Sequence, residues 1–212
     1  MKTACKLFCV AFCLFLGLPQ SKAGSICDAN PSNLVANCGF ETGDFTAWSL
    51  SGNDVPSLLG NLYGVEGLDP LDGISPNSGL SQAYVADLVA NATTLSQALT
   101  TVAGGIYTVS WFLAQDTAVG GGYSNEFSAS FGGVSLVSLT AVPVQGYTYY
   151  SYAATATSSS SVLSLTLGND LGEFLLDDVS VGTPEPSAWT LVFVGVLVCI
   201  FGRKRMTRRV AL

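Results

Sequence analysis

The chain has 212 residues and a formal net charge of −7 at pH 7. Its eight Lys and Arg all lie at the ends, Lys2, Lys6 and Lys22 at the front and Arg203, Lys204, Arg205, Arg208 and Arg209 at the back. Between Gly24 and Gly202 there is no cation, all fifteen Asp and Glu fall in that stretch, and the sequence contains no His. Such a body repels phosphate backbones, which makes nucleic acid and anionic lipid poor partners, whereas Ca²⁺ and neutral sugars suit it.

At the front, Met1 to Lys6 is a short positive region, Leu7 to Leu18 is apolar, and Ser21-Lys22-Ala23 places small residues at the −3 and −1 positions of a cleavage site. Residues 1–23 therefore read as a secretory signal peptide, to be cut after Ala23 by signal peptidase. The body that follows, 24–182, is long enough for one domain with a single core. It is rich in Gly, Ser and Thr and has no long stretch of helical period. Residues 53–79, rich in Gly, Pro and Asp, read as a long connection over one end of the fold. Beyond it, short alternating runs end in turn residues. Ile106 to Leu113 puts Tyr107, Val109, Trp111 and Leu113 on one face. Phe127 to Phe131, Val134 to Leu139 and Tyr147 to Ala156 are further strands, bounded by Gly132-Gly133 and by Pro143 to Gly146. Ser161 to Leu167 places Leu163, Leu165 and Leu167 together. Strands at this spacing, with Gly and Pro between them, predict an all-β sandwich.

The chain ends in Pro184-Glu185-Pro186, an apolar run over 187–202 and a basic tail over 203–212. As a helix the run spans only ~24 Å against a hydrocarbon core of ~30 Å, so it crosses only with thinning of the bilayer or snorkelling by the bases. The bases stay cytoplasmic by the positive-inside rule and place the acidic body outside. The tripartite order over 183–212 resembles the PEP-CTERM sorting signal of Gram-negative bacteria. That resemblance implies recognition and cleavage by a membrane-embedded exosortase, transient residence in the inner membrane, and release to the cell surface or extracellular matrix, often alongside exopolysaccharide. A permanent single-pass anchor with a Pro-containing stalk is the alternative. Removal of both ends leaves Cys27 and Cys38 as the only cysteines, and an oxidising compartment favours a bond between them over two free thiols.

The body carries a second resemblance. Asn33-Leu-Val-Ala-Asn-Cys-Gly-Phe-Glu-Thr-Gly-Asp-Phe-Thr-Ala-Trp48 is similar to the opening of galactose-binding-like jelly rolls, the fold of many carbohydrate-binding modules, and Phe174-Leu-Leu-Asp-Asp-Val-Ser-Val181 is similar to their closing strand. The resemblance implies a structural Ca²⁺ held by the carbonyl of Gly39, by Glu41 and by Asp177 or Asp178. Without an ion, Glu41 is a solvated turn residue, one Asp of the pair faces water and the other accepts backbone hydrogen bonds.

Trp48 and Trp111 fall in patterns that pack a core. Tyr150 and Tyr152 align with core positions in the resemblance, which leaves Tyr147 and Tyr149 outward, and Tyr63 and Tyr123 fall in Gly-rich loops. These four are the candidate sugar contacts, or else they fill the sandwich rim. Catalysis has little to stand on. Without His there is no Ser-His pair or zinc-histidine site. Two carboxylates suffice for glycoside hydrolysis, but Asp177 and Asp178, as strand neighbours, are expected on opposite faces. The expectation is a non-enzymatic, exported polysaccharide-binding β-sandwich, with a structural matrix protein lacking a defined sugar site as the alternative.

Overall fold

The computed structural model describes residues 24–52, 62–68, 73–116 and 124–183. The expected signal peptide 1–23, Tyr123, and the expected sorting motif Pro184, Glu185 and Pro186 with the apolar and basic segments after it lie outside the described residues. Among the described residues no helix is long and apolar enough to cross a membrane.

Among the described residues, ten strands form two five-stranded antiparallel sheets packed face to face: β1 (Ser49–Ser51), β2 (Tyr63–Glu66), β3 (Gln82–Val85), β4 (Thr93–Thr100), β5 (Ile106–Gln115), β6 (Asn125–Phe131), β7 (Val134–Thr140), β8 (Gln145–Thr155), β9 (Ser160–Asn169) and β10 (Phe174–Gly182). The first sheet has the order β1-β4-β9-β6-β7 and the second β2-β3-β10-β5-β8. The alternation in the sequence sets the inner faces. Leu163, Leu165 and Leu167 of β9 are fully buried, as are Val109, Trp111 and Leu113 of β5, with Tyr107 nearly so. The Trp111 ring sits 5.4 Å from that of Phe127 across the sandwich and stacks with Tyr150 and Tyr152 at 5.9 and 5.5 Å. Each such large side chain contributes about 1.5–3 kcal/mol by leaving water, which offsets an indole N–H that finds no acceptor.

The predicted strands form with small shifts of their ends. The 53–79 connection differs from expectation, because β2 lies within it and pairs with β3 from Tyr63↔Val85 to Glu66↔Gln82. Gly132 and Gly133 make the β6–β7 hairpin with φ of 58° and 80°, a pair of left-handed residues that this tight turn requires and that side chains resist.

The outer face of the first sheet accounts for the unusual composition. One row across its five strands reads Ser51, Thr94, Thr166, Ser128, Ser138, and the next reads Ser49, Ser96, Ser164, Ser130, Ser135. These two rows consist entirely of hydroxyl side chains.

Candidate functional site

Two clusters of polar side chains stand out, and β10 positions both. The first lies where the chain's start meets its end. The β10–β5 register shifts between Asp177 and Ser180, and Asp178 adopts φ 51°. This bulge breaks the strand alternation, so the expectation that the two acids point to opposite faces, one of them into water, does not hold. Both are almost completely buried. Ser78 binds both, its amide donating to Asp177 Oδ2 at 3.1 Å and its hydroxyl to Asp178 Oδ1 at 2.8 Å. Asn77 Nδ2 donates to Asp178 Oδ2 at 2.7 Å, and Asp178 Oδ1 also accepts from the Ser25 hydroxyl and, at 3.3 Å, from the Cys27 amide. The Cys27–Cys38 disulfide closes the same corner with a Cα–Cα distance of 6.1 Å.

Gly39 is brought to this cluster. A Cβ there would stand 2.3 Å from Ser25 Oγ and 3.4 Å from Asp177 Oδ1, so only Gly lets the backbone approach. Glu41 does something else: its Oε1 accepts from the amides of Leu80 and Ser81 at 2.8 and 3.1 Å and thereby pins the 79–81 segment. Among the described residues, the acidic or thiol side chains whose ligand atoms gather within 4.8 Å are Cys27, Asp28 and Cys38, and two of those sulfurs are bonded to each other. Burial, and then the charge of Asp178, push Asp177 up to about 8.

The second cluster is the outer face of the second sheet. Gly64, Tyr84, Leu175 and Ala114 form a row across β2, β3, β10 and β5. Leu175 and Ala114 are fully buried although they point away from the main core. Tyr147 reaches over this face, its hydroxyl donating to Gln82 Oε1 at 2.7 Å, and Gln82 Nε2 in turn donates to the Ile74 carbonyl at 3.1 Å. The Tyr84 ring lies over Gly64, where a Cβ would come within 2.6 Å of it. Burial, then the charges of Glu66 and Glu173, raise the Tyr84 phenol. Tyr149 is 55% exposed and its ring centroid is 5.0 Å from that of Phe112.

Of the four tyrosines expected at a ligand, the structure brings Tyr147 and Tyr149 to this face. Tyr63 begins β2 and packs edge-on against Phe45 at 6.1 Å, part of the core boundary and not a loop contact. Tyr150 and Tyr152 face inward as expected, as do Trp111 and Trp48, the latter stacked on Phe40 at 5.8 Å. Gln82, Tyr84 and Phe112 were not singled out from sequence. Their signal was the alternation of Gln82 and Tyr84 with the buried Ala83 and Val85, in a strand too short to stand out.

The sequence matches no family model and no curated protein. Among solved structures, the fold is similar to that of a carbohydrate-binding module, TmCBM61, determined in complex with β-1,4-galactotriose. The TM-score is 0.50 and the identity 18%, over 72% of this chain and 99% of that one. A xylan-binding domain of family 22 carbohydrate-binding modules has a TM-score of 0.48 at 16% identity, over 73% of this chain and 97% of that one. A cleaved adhesin domain of Lys-gingipain from Porphyromonas gingivalis gives 0.47 at 15%, over 69% and 96%. At such identities the likeness is one of fold: an all-β, two-sheet sandwich as in the carbohydrate-binding module.

The raised Asp177 carboxyl has a pH consequence. The folded state keeps this proton up to about pH 8, whereas the unfolded chain releases it near the ordinary value of 3.8. In that window the folded state binds more protons, so this group makes stability fall as pH rises from about 4 to 8. Asp44 and Asp170, both lowered by hydrogen bonds, act with the opposite sign and only toward lower pH, where stability is lost as they protonate. In metal-free protein, denaturant melts of Asp177→Asn between pH 4.5 and 8 should show a flatter pH dependence than wild type. Parallel profiles would show that Asp177 titrates normally.

Proposed function

We propose that the domain is a non-catalytic carbohydrate-binding module of an exported bacterial surface or matrix protein, and that it takes an uncharged polysaccharide across the outer face of its second sheet. The observation that carries this reading is the grouping of Tyr84, Phe112, Tyr147 and Tyr149 with the amide of Gln82 on one face. Aromatic rings stack on the apolar C–H face of a pyranose, while phenol and amide groups bond its hydroxyls. The absence of any cation between Gly24 and Gly202 leaves no partner for a uronate or phosphate. Asp177 and Asp178 are engaged with hydroxyl and N–H donors inside the fold, which is not how a glycosidase presents its acids to substrate.

A matrix protein without a sugar site is the second reading, favoured by β8. This edge strand of eleven residues has neither charge nor Pro, the features that usually prevent edge pairing.

The calcium proposal concerns the chain-end cluster. Two buried carboxylates with no cation to pair, the hydroxyls of Ser25 and Ser78, and a backbone cradle that a Cβ at Gly39 would fill make a hard-oxygen set that suits Ca²⁺. Asp177 and Asp178 would hold the ion with Gly39, while Glu41 contributes by fixing the loop beside it. Bound there, the ion would supply the missing positive charge.

Export by the signal peptide, and sorting through Pro184-Glu185-Pro186 by an exosortase-type protease, complete the reading. Proline has no amide donor and disfavours helix in the residue before it, so a helix formed by the apolar run would stop short of the motif.

Three outcomes are expected. In a glycan array or affinity gel, the protein should bind neutral polysaccharide saturably. Tyr149→Ala, at an exposed position, should weaken binding about tenfold, or about 1.4 kcal/mol, with little change in stability. Self-association without sugar preference would favour the matrix reading.

Calcium should raise the melting temperature relative to chelator in proportion to its excess over Kd, and Asp178→Asn should reduce that rise. Equal melting in millimolar calcium and in chelator would reject the ion.

In the native host, mass spectrometry should find mature protein lacking 192–212, and changing the Pro-Glu-Pro triplet to Ala-Ala-Ala should leave the tail attached. An intact C-terminus on most surface molecules would instead support a permanent anchor.

A further inference from the structure

The two ends of the sandwich differ in charge. Residues 88–115 and 127–169 contain no charged residue. One end of the sandwich carries Asp87, Asp116, Glu126, Asp170 and Glu173 around the β5–β6 and β9–β10 connections. The opposite end is built from the turns 101–105, 132–133 and 156–159. Bonds from Thr101 N to the Ser159 carbonyl at 3.0 Å and from Gly104 N to the Ala156 carbonyl at 2.7 Å hold two of these turns together. The 31–34 segment joins them through Leu34 N and the Val181 carbonyl at 2.8 Å. No residue of this end is charged, and Val102, Ile106 and Val134 stand 69%, 57% and 56% exposed on it. The last strand leaves the domain here, since Gly182 pairs with Thr108 near the start of β5.

The chain then reaches the apolar run at Ser187 in five residue steps, which span at most about 18 Å when fully extended. The headgroup layer takes up about 5–8 Å of that on each side of the hydrocarbon. A tether this short forces the end from which β10 exits to face the bilayer at close range. At such a distance, comparable to the Debye length of about 8 Å, an acidic end would be repelled by anionic lipid, and this end is the one without charge.

We infer that the uncharged end of the sandwich, with Val102, Ile106 and Val134, docks onto the lipid headgroups while the C-terminal tail is attached, with the acidic end held away from the membrane. The inference rests on the proposed membrane insertion of 187–202. The partner is a lipid surface, and the occupied face is separate from the outer face of the second sheet assigned to polysaccharide.

The test uses residues 24–212, the chain after the proposed signal-peptide cleavage, with Cys199 replaced by Ala and the Cys27–Cys38 bond intact. A single new cysteine at Val102, Val134 or Leu171 carries an environment-sensitive dye. The protein is reconstituted in phosphatidylcholine–phosphatidylglycerol vesicles containing a lipid-borne quencher, and flotation reports insertion of the tail. Dyes at 102 and 134 should shift to the blue and be quenched, while the dye at 171, on the acidic end, should remain as in water. Adding Ile106→Asp and Val102→Asp to the chain labelled at 134 should return that dye to its aqueous spectrum without loss of flotation. Failure to float would remove the premise that the tail inserts. Flotation with all three dyes in water would overturn the docking alone, and a blue shift at 102 and 134 before lipid is added would show that protein, not membrane, covers this end.

Discussion

Every carboxylate in this domain must be stabilised without a salt bridge, because the body contains no Lys, Arg or His. Among the described residues, several acids accept from backbone amides and hydroxyls instead. Asp170 accepts from the amides of Val89 and Ser124 at 3.0 Å each, Asp44 from Thr46 N at 2.9 Å and Thr42 Oγ1 at 2.7 Å, Asp116 from Glu173 N at 2.7 Å, and Asp87 from the Thr93 hydroxyl. Each bond crosses between chain segments or closes a turn, so the acids act as staples for irregular backbone. Hydrogen bonds to a charged acceptor are stronger than neutral ones.

The pair at 177–178 is the extreme case, and it is costly. Two adjacent buried acids repel each other and are poorly solvated, which holds a proton on Asp177 to about pH 8. The bulge in β10 makes the pair possible by turning both carboxylates into one corner. There they gather the N-terminal segment at Ser25 and Cys27 and the 77–78 loop onto the last strand. The disulfide then covalently joins the two sides of the N-terminal turn that lies over them. Repulsion in the pair is the feature that a divalent cation would relieve.

Much of the fold was legible because period-2 patterning is a local signal. Val109, Trp111 and Leu113, or Leu163, Leu165 and Leu167, declare their inner face without reference to the rest of the chain. Tyr150 and Tyr152 were separable from Tyr147 and Tyr149 for the same reason, once aligned with a known pattern. What was not legible depends on register between distant strands. The bulge opposite Trp111 reverses the expected orientation of an acid, and nothing in the sequence Leu-Leu-Asp-Asp-Val signals it. Strand β2 gains its partner only through pairing with β3, so Tyr63 reads as a loop residue until that pairing is known. Glu41 keeps its turn position but bonds amides some forty residues away, a contact that only tertiary structure reveals.

The central claim is that buried carboxylates, not ion pairs, fasten the two ends of the chain onto the sandwich, and hydrogen exchange read peptide by peptide in Asp178→Asn tests it most directly. Amides over 24–40 and 73–81 should lose protection together, while β4, β5, β6 and β9 keep theirs, because those strands are held by the core and not by the carboxylate corner. Unchanged protection in both terminal-corner segments, or a uniform loss across all strands, would contradict the account.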